Sequence, residues 1–202
     1  VNRLIIIGAS GHGKVVADIA RLNGYQDIVF LDNDPEKTSC AGFPVLGPDK
    51  LAGQLEGDIF VAVGDGKIRE TLMERYHDKK FPTLIHPSAV IAEDVTIGSG
   101  SVVMAGAVIN PGARLGKGVI VNTASSVDHD CMIGDYVHIA VGAHLSGTVV
   151  VESRTWIGAG ATVSNNVTIC GDCKIGAGAV VVKDILTPGV YVGLPAKLLK
   201  RG

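Results

Sequence analysis

Aromatic side chains are nearly missing from this 202-residue chain: Phe, Trp and Tyr together make up 4% of it, with a single tryptophan. With 27 glycines beside abundant Val and Ile, that scarcity suits many short, flat, repeated strands better than a helical bundle. Charge imbalance is missing too. Eighteen basic and 20 acidic residues leave a formal charge of −2, so nothing suggests a surface for nucleic acid or anionic membrane. Charged residues are 19% and hydrophobic ones 47%, which excludes a disordered chain. No long apolar run stands out either. Leu4–Ile7 is too short for a signal sequence and leads straight into a glycine turn. The uncharged stretch 95–113 approaches a membrane span in length, but Gly, Ser, Asn and Pro interrupt it, so no spanning helix is expected. The chain opens on Val1 rather than Met, which implies a trimmed start or one domain of a longer protein. Its length suits one large domain or two small ones.

What is present is a repeat. From Ile85, every sixth residue through Val181 is aliphatic, and four residues after each (two before the next) comes a small or β-branched side chain, from Ala89 to Ile185. This makes seventeen hexads over residues 85–186 without an insertion. Residues two apart on a strand share a face, so both series point inward. Gly, Asn and Asp between them supply turns. Three hexads make an 18-residue triangular coil that buries its apolar side only against its neighbours, the logic of a parallel β-helix.

The register bears on the cysteines. Cys131 and Cys173 take inward positions and Cys170 a corner, so Cys170 and Cys173 are expected in different parts of a coil, as filler rather than as a redox or metal pair. The compartment expected is the cytoplasm.

Residues 1–84 read as a small parallel α/β, Rossmann-like unit. The strand Arg3–Ile7 leads into Gly8-Ala-Ser-Gly-His-Gly13 and a helical stretch Lys14–Leu22. The strands Ile28–Leu31 and Ile59–Val63 follow, the latter entering a helix through Arg69 and Leu72. Loops at the strand C-termini should line one crevice. The glycine loop offers backbone N–H groups and a helix dipole to a phosphate, although its spacing is not the dinucleotide fingerprint. Asp32 ends the second strand, where a ribose-binding acid would sit. About 80 residues lack the second half a dinucleotide needs, so a mononucleotide site leads, with a purely structural turn as the alternative.

In the β-helix, His129, His138 and His144 fall on no inward position, so all three are expected on the outside rather than in the core. His129 lies between Asp128 and Asp130. An imidazole beside a carboxylate suits a general base, and spacing leaves open which acid is the partner. Gly147 follows His129 by 18 residues, so it should stack one coil away, where its N–H could hold a substrate carbonyl oxygen. His138 lies across the triangle from His129, so the two could meet only between subunits. His144 reads as readily as an idle surface residue. Three imidazoles converging on zinc, as a lyase would need, do not follow from this spacing, and no metal is expected. A nucleotide-sugar sensor or scaffold is the non-enzymatic alternative.

The segments G-A-S-G-H-G, F-L-D-N-D, A-V-G-D-G-K-I-R, L-I-H-P-S-A, the run from Asn122 to Ala143 and G-L-P-A-K together resemble the bacterial sugar O- and N-acetyltransferases. That family is typified by sialic acid O-acetyltransferases and the UDP-4-amino-sugar N-acetyltransferase of bacillosamine synthesis. The resemblance covers the whole chain. It implies a left-handed helix over 85–202 that binds acetyl-CoA, a nucleotide-sugar domain over 1–84, and a homotrimer with sites between subunits. It makes His129 the base and Asp130 its supporting acid. His138, Gly147, Ala159 and Ala177 would meet acetyl-CoA, and Ser10, Gly11, His12, Asp32, Asn33 and Gly64 the nucleotide-sugar. Asp130 replaces a Glu of the bacillosamine enzyme, and Asn33 replaces an Asp. The activity implied is acetyl transfer to a nucleotide-linked amino-sugar, with O-acetylation of sialic acid or a related sugar as the alternative.

Overall fold

The computed structural model describes residues 2–199. Its first part is a three-stranded parallel sheet in the order β2-β1-β5, from β1 (Arg3–Ile7), β2 (Asp27–Leu31) and β5 (Asp58–Val61). Helices α1 (Gly11–Leu22) and α2 (Gly66–Arg75) follow β1 and β5. A short hairpin of β3 (Ser39–Cys40) and β4 (Phe43–Pro44) and a 3-10 turn, Asp49–Gln54, lie between β2 and β5. Leu4–Ile7 are buried on both faces, as a central parallel strand requires. Helix α1 begins at Gly11, three residues earlier than its apolar spacing suggests, so Gly11 and His12 belong to its first turn.

Seventeen two-residue strands follow, from β6 (Leu84–Ile85) to β22 (Val180–Val181), each pairing in parallel with the strand 18 residues away. They stack into the three faces of a left-handed β-helix. In each pair the second residue points inward. Val103, Ile109, Val121, Val127, Ile139, Val151, Ile157 and Val163 are all essentially inaccessible and form one continuous core. Each such burial contributes roughly 1.5–3 kcal/mol. Inward polar residues satisfy themselves on corner carbonyls: Ser125 donates to Asn122 and Thr155 to Cys170.

The corners obey the same period. From Gly100 to Gly178 every sixth residue has a positive φ of 54–78°, whether it is glycine or, as at Ala124, Asp130, Tyr136, Thr148, Arg154, Asn166 and Asp172, another residue. A left-handed residue costs a non-glycine side chain about 1–2 kcal/mol, which the packed coils on either side offset.

One of these corners corrects an expectation about the cysteines. Cys170 and Cys173 bracket the turn at Asp172, and their Sγ atoms lie 3.5 Å apart as free thiols. They do not belong to separate parts of the coil, because the tight turn folds the two side chains onto one another.

The α/β unit lies on the first face of the helix. The outward residues Val102 and Ile120, with Leu84 and Met104, share a core with Val16, Ile19 and Ala20 of α1. Tyr136 joins Leu72 and Met73 of α2. Beyond β22 the chain does not trail off: β23 (Val190–Val192) extends the first face and pairs with β24 (Lys197–Leu198). Among the described residues no helix is long and apolar enough to cross a membrane.

Candidate active site

His129 stands on an exposed corner between the second and third faces. Its partner is Asp130, whose Oδ2 lies 2.9 Å from His129 Nδ1. Asp128 is used otherwise, accepting the His129 backbone N–H at 2.7 Å and the Asn110 amide at 2.7 Å. Asp130 is itself the left-handed corner residue, at φ 58°, a conformation Asp tolerates well. The turn aims its carboxylate back at the preceding imidazole. The hydrogen bond to Asp130 raises the pKa of His129 above its ordinary value, with Asp128 adding to the effect. Bonds from Asn110 and the His129 N–H hold Asp128 below the usual carboxylate range.

Gly147 is stacked one coil on, as its spacing predicts. The Thr148 N–H donates to the His129 carbonyl at 2.8 Å. A Cβ on Gly147 would overlap the free Nε2 edge of His129. Glycine is therefore required for the ring to stand there, and the Gly147 N–H makes no hydrogen bond among the described residues.

His138 is the correction at this site. It leaves the helix interior, as its register requires, yet it is buried, because the α/β unit covers it. Its ring stacks on His12 of α1 at 6.3 Å and on Trp156, one coil on, at 5.2 Å and nearly parallel. Asn122 accepts the Thr123 N–H through Oδ1, which turns its amide nitrogen toward His138 Nε2, 3.2 Å away. That orientation suits an accepting Nε2 and a proton on Nδ1, which lies 3.4 Å from the Gly64 carbonyl. Burial and the nearby Arg69 guanidinium push His138 down to about 3 and His12 to about 4, so both are neutral at pH 7. His144 is exposed and its Nδ1 pairs with the Ser126 hydroxyl.

Three residues outside the sequence expectations complete this seam. Arg69, Asn122 and Trp156 surround the His138 ring directly or through one carbonyl. A cavity of about 160 Å³ opens beside it, lined by Gly64, Lys67, Arg154, Trp156 and Lys174 among others. The signal available in the sequence was the apolar or aromatic outward residue at Val102, Ile120 and Trp156, where a solvated face would be polar.

Of the expected nucleotide residues, Ser10, Gly11, Asp32 and Asn33 lie after the ends of β1 and β2, whereas His12 stacks on His138. A groove of about 220 Å³ there is lined by Gly8, Asp32, Asn33 and Asp49. Ser10 caps α1 with no side-chain bond, leaving its hydroxyl and the exposed Gly11 at the helix start. Asp32 is less free than a ribose-binding acid would be, since it accepts from the N–H groups of Ala9 and Asp34 and from Lys37. Burial pushes its carboxyl up, but those donors outweigh it and hold the pKa below the ordinary value. Asn33 Oδ1 accepts the Asp49 N–H. Gly64 is placed away from these, beside His138.

Ala159 and Ala177 lie 18 residues apart on an exposed corner, each followed by a left-handed glycine, Gly160 or Gly178, with open space around it. The result is a smooth ledge suited to a long, thin ligand. His129 and this ledge lie on different corners of one chain. Among the described residues no group of three or more His, Cys, Asp or Glu could hold a metal ion.

Residues 3–76 match the model of the PglD N-terminal domain. The fold as a whole is similar to the acetyltransferase domain of PglB from Neisseria gonorrhoeae FA1090. Identity there is 46% and the TM-score 0.94, covering 98% of this chain and 100% of that one. The same domain has been solved in complex with acetyl coenzyme A. PerB from Caulobacter crescentus, solved with CoA and GDP-perosamine, is 37% identical with a TM-score of 0.92 over 99% of this chain and 98% of that one. Among curated proteins, the UDP-N-acetylbacillosamine N-acetyltransferase of Bacillus subtilis (strain 168) is 35% identical over 113 residues; the match spans about half the length of each, 52%.

Proposed function

Since the chain belongs to the bacterial nucleotide-sugar acetyltransferase family, we propose that it transfers the acetyl group of acetyl-CoA to the amino group of a nucleotide-linked 4-amino-sugar. The observation that carries this reading is the His129–Asp130 pair with Nε2 facing Gly147. The solved relatives that hold acetyl-CoA, or CoA with GDP-perosamine, support it. Residues 1–84 hold the nucleotide-sugar and residues 85–202 the thioester.

The chemistry is direct transfer. The amine attacks the thioester carbonyl while His129 Nε2 takes the amine proton, and Asp130 stabilises the imidazolium that forms. The Gly147 N–H receives the developing oxyanion. The C–S bond then breaks and CoA leaves as the thiol or thiolate, the former taking its proton from His129. No covalent acetyl-enzyme is needed: burial pushes the Cys173 thiol up to about 12, far from a thiolate nucleophile. Neutral His138, with its Nδ1–H only weakly engaged, meets the acetyl thioester, and the Ala159–Ala177 ledge carries the rest of CoA. Ser10, Gly11, His12, Asp32, Asn33 and Gly64 surround the nucleotide-sugar, with Asp32 acting through the loop it braces.

Because His129 and that ledge lie on different corners, the complete site forms between copies, in a homotrimer. The cytoplasm, which holds both acetyl-CoA and nucleotide-sugars, is where it works. An O-acetyltransferase would use the same base on a hydroxyl. A thiol-release assay over nucleotide amino-sugars and sialic acids separates the two. Release with an amino-sugar and not with sialic acid is expected, and the reverse would replace the amine by a hydroxyl.

A further inference from the structure

Among the described residues Arg69 is one of the largest fully buried side chains, and no carboxylate there pairs with it directly. Its guanidinium spends its N–H groups on carbonyls instead. Nη1 donates to Val63 at 2.9 Å and Gly64 at 2.8 Å, both in the loop after β5. Nε donates to Gly118 at 2.9 Å, and Nη2 to Tyr136 at 2.5 Å and Val137 at 3.4 Å, at the same corner on two successive coils of the β-helix. All five donors of a planar fork are therefore engaged, in a geometry a lysine ammonium with three donors cannot copy. A buried cation without a partner acid is costly, and only such a complete set of acceptors offsets it.

Two of those carbonyls lie where His138 is held. Gly64 presents its oxygen to both Arg69 Nη1 and His138 Nδ1, the short bond going to Arg69 and the long one, 3.4 Å, to His138. Tyr136 and Val137 are the two residues before His138 on its own coil. Arg69 thus fixes the acceptor over the ring and the backbone that carries the ring. Asn122 defines the other side, donating to Nε2. The charged and titratable groups acting most strongly on the ring are Arg69 from α2 and His12 from α1, while Lys67, Arg154, Asp172 and Lys174 line the cavity beside it. Asp65, at the start of α2, and Tyr136 act on Arg69 itself.

We infer that Arg69 is a positioning residue for acetyl transfer, locking His138 as the neutral Nδ1–H tautomer with that N–H weakly held and ready for a thioester oxygen. The inference rests on the reading of His138 as a thioester contact. It assigns the seam between the two parts of the chain a task besides cohesion: the α/β unit that carries the acceptor also sets the donor's tautomer.

Long-range proton–nitrogen correlation spectra of the intact protein at neutral pH read the tautomer without any substitution in the seam, the His138 signals being identified by their loss in His138→Gln. The expected spectrum is a neutral ring with the proton on Nδ1. In Arg69→Lys, which keeps the charge and loses the fork, the ring is expected to leave that single tautomer. kcat should then fall at least about tenfold while the KM for acetyl-CoA moves less than about threefold. An Nε2–H or charged ring in the unsubstituted protein would overturn the inference. So would an Arg69→Lys variant with spectrum and kcat unchanged, or one with an altered tautomer and full kcat. Thiol release that survives His129→Ala would instead overturn the reading of the acetyl-transfer site, whatever the tautomer.

Discussion

His129 is exposed, so its raised pKa owes nothing to burial and rests mainly on the one hydrogen bond its Nδ1–H donates to Asp130. The working form of a base is the neutral one, so activity is lost as pH falls through that raised value. Asp130→Asn removes the carboxylate and lets the pKa drop toward 6.5, the ordinary value. The acid limb of the kcat/KM profile should move to lower pH while the plateau falls, because the imidazolium loses its support. A limb that stays in place would make Asp128 the controlling acid. Gly147→Ala tests the other half of the site. The added methyl occupies the place of His129 Nε2, so kcat should fall by about 10² or more, with a melting temperature close to that of the parent, since the corner is exposed on the His129 side.

At the scale of elements, the hexad explains most of what holds the protein together. Ile139 is completely buried between coils, and Ile139→Ala should cost about 2–5 kcal/mol in denaturant unfolding, the range for an aliphatic removed from a packed core. This much was legible beforehand: the period located each inward residue, and the spacing of 18 brought Gly147 to His129. What could not be read lies where the register meets something other than itself. The hexad tells inward from outward but not what covers an outward face. His138 therefore read as exposed, although Val102 and Ile120, apolar on the same outward face, pointed to a cover. Cys170 and Cys173 were misjudged because a strand-based period carries no information about how tightly a corner folds. The left-handed turn at Asp172 decides that. The role of Arg69 is not legible in the sequence, since its acceptors are backbone carbonyls, which leave no trace in side-chain spacing. The neighbouring choice between Asp128 and Asp130 was a matter of corner geometry as well.

For the whole molecule, the proposed acetyl transfer predicts a site shared between copies. His129 and the ledge of Ala159 and Ala177 lie on different corners, and His138 lies on the first face, beneath its own α/β unit and beside the cavity that opens there. Two variants inactive by themselves, His129→Ala and Ala159→Trp, should regain part of the activity when co-expressed, because a mixed oligomer contains junctions at which an intact base faces an intact ledge. Absence of any recovery in verified mixed oligomers would place the site within a single chain. The most direct test of the central claim is the fate of the acetyl group. Purified protein given acetyl-CoA and a nucleotide-linked 4-amino-sugar should release one CoA thiol for each sugar that gains the mass of one acetyl group, and His129→Ala should slow both by about 10²–10⁴-fold. Unacetylated sugar after thiol release, or an undiminished rate in His129→Ala, would contradict it.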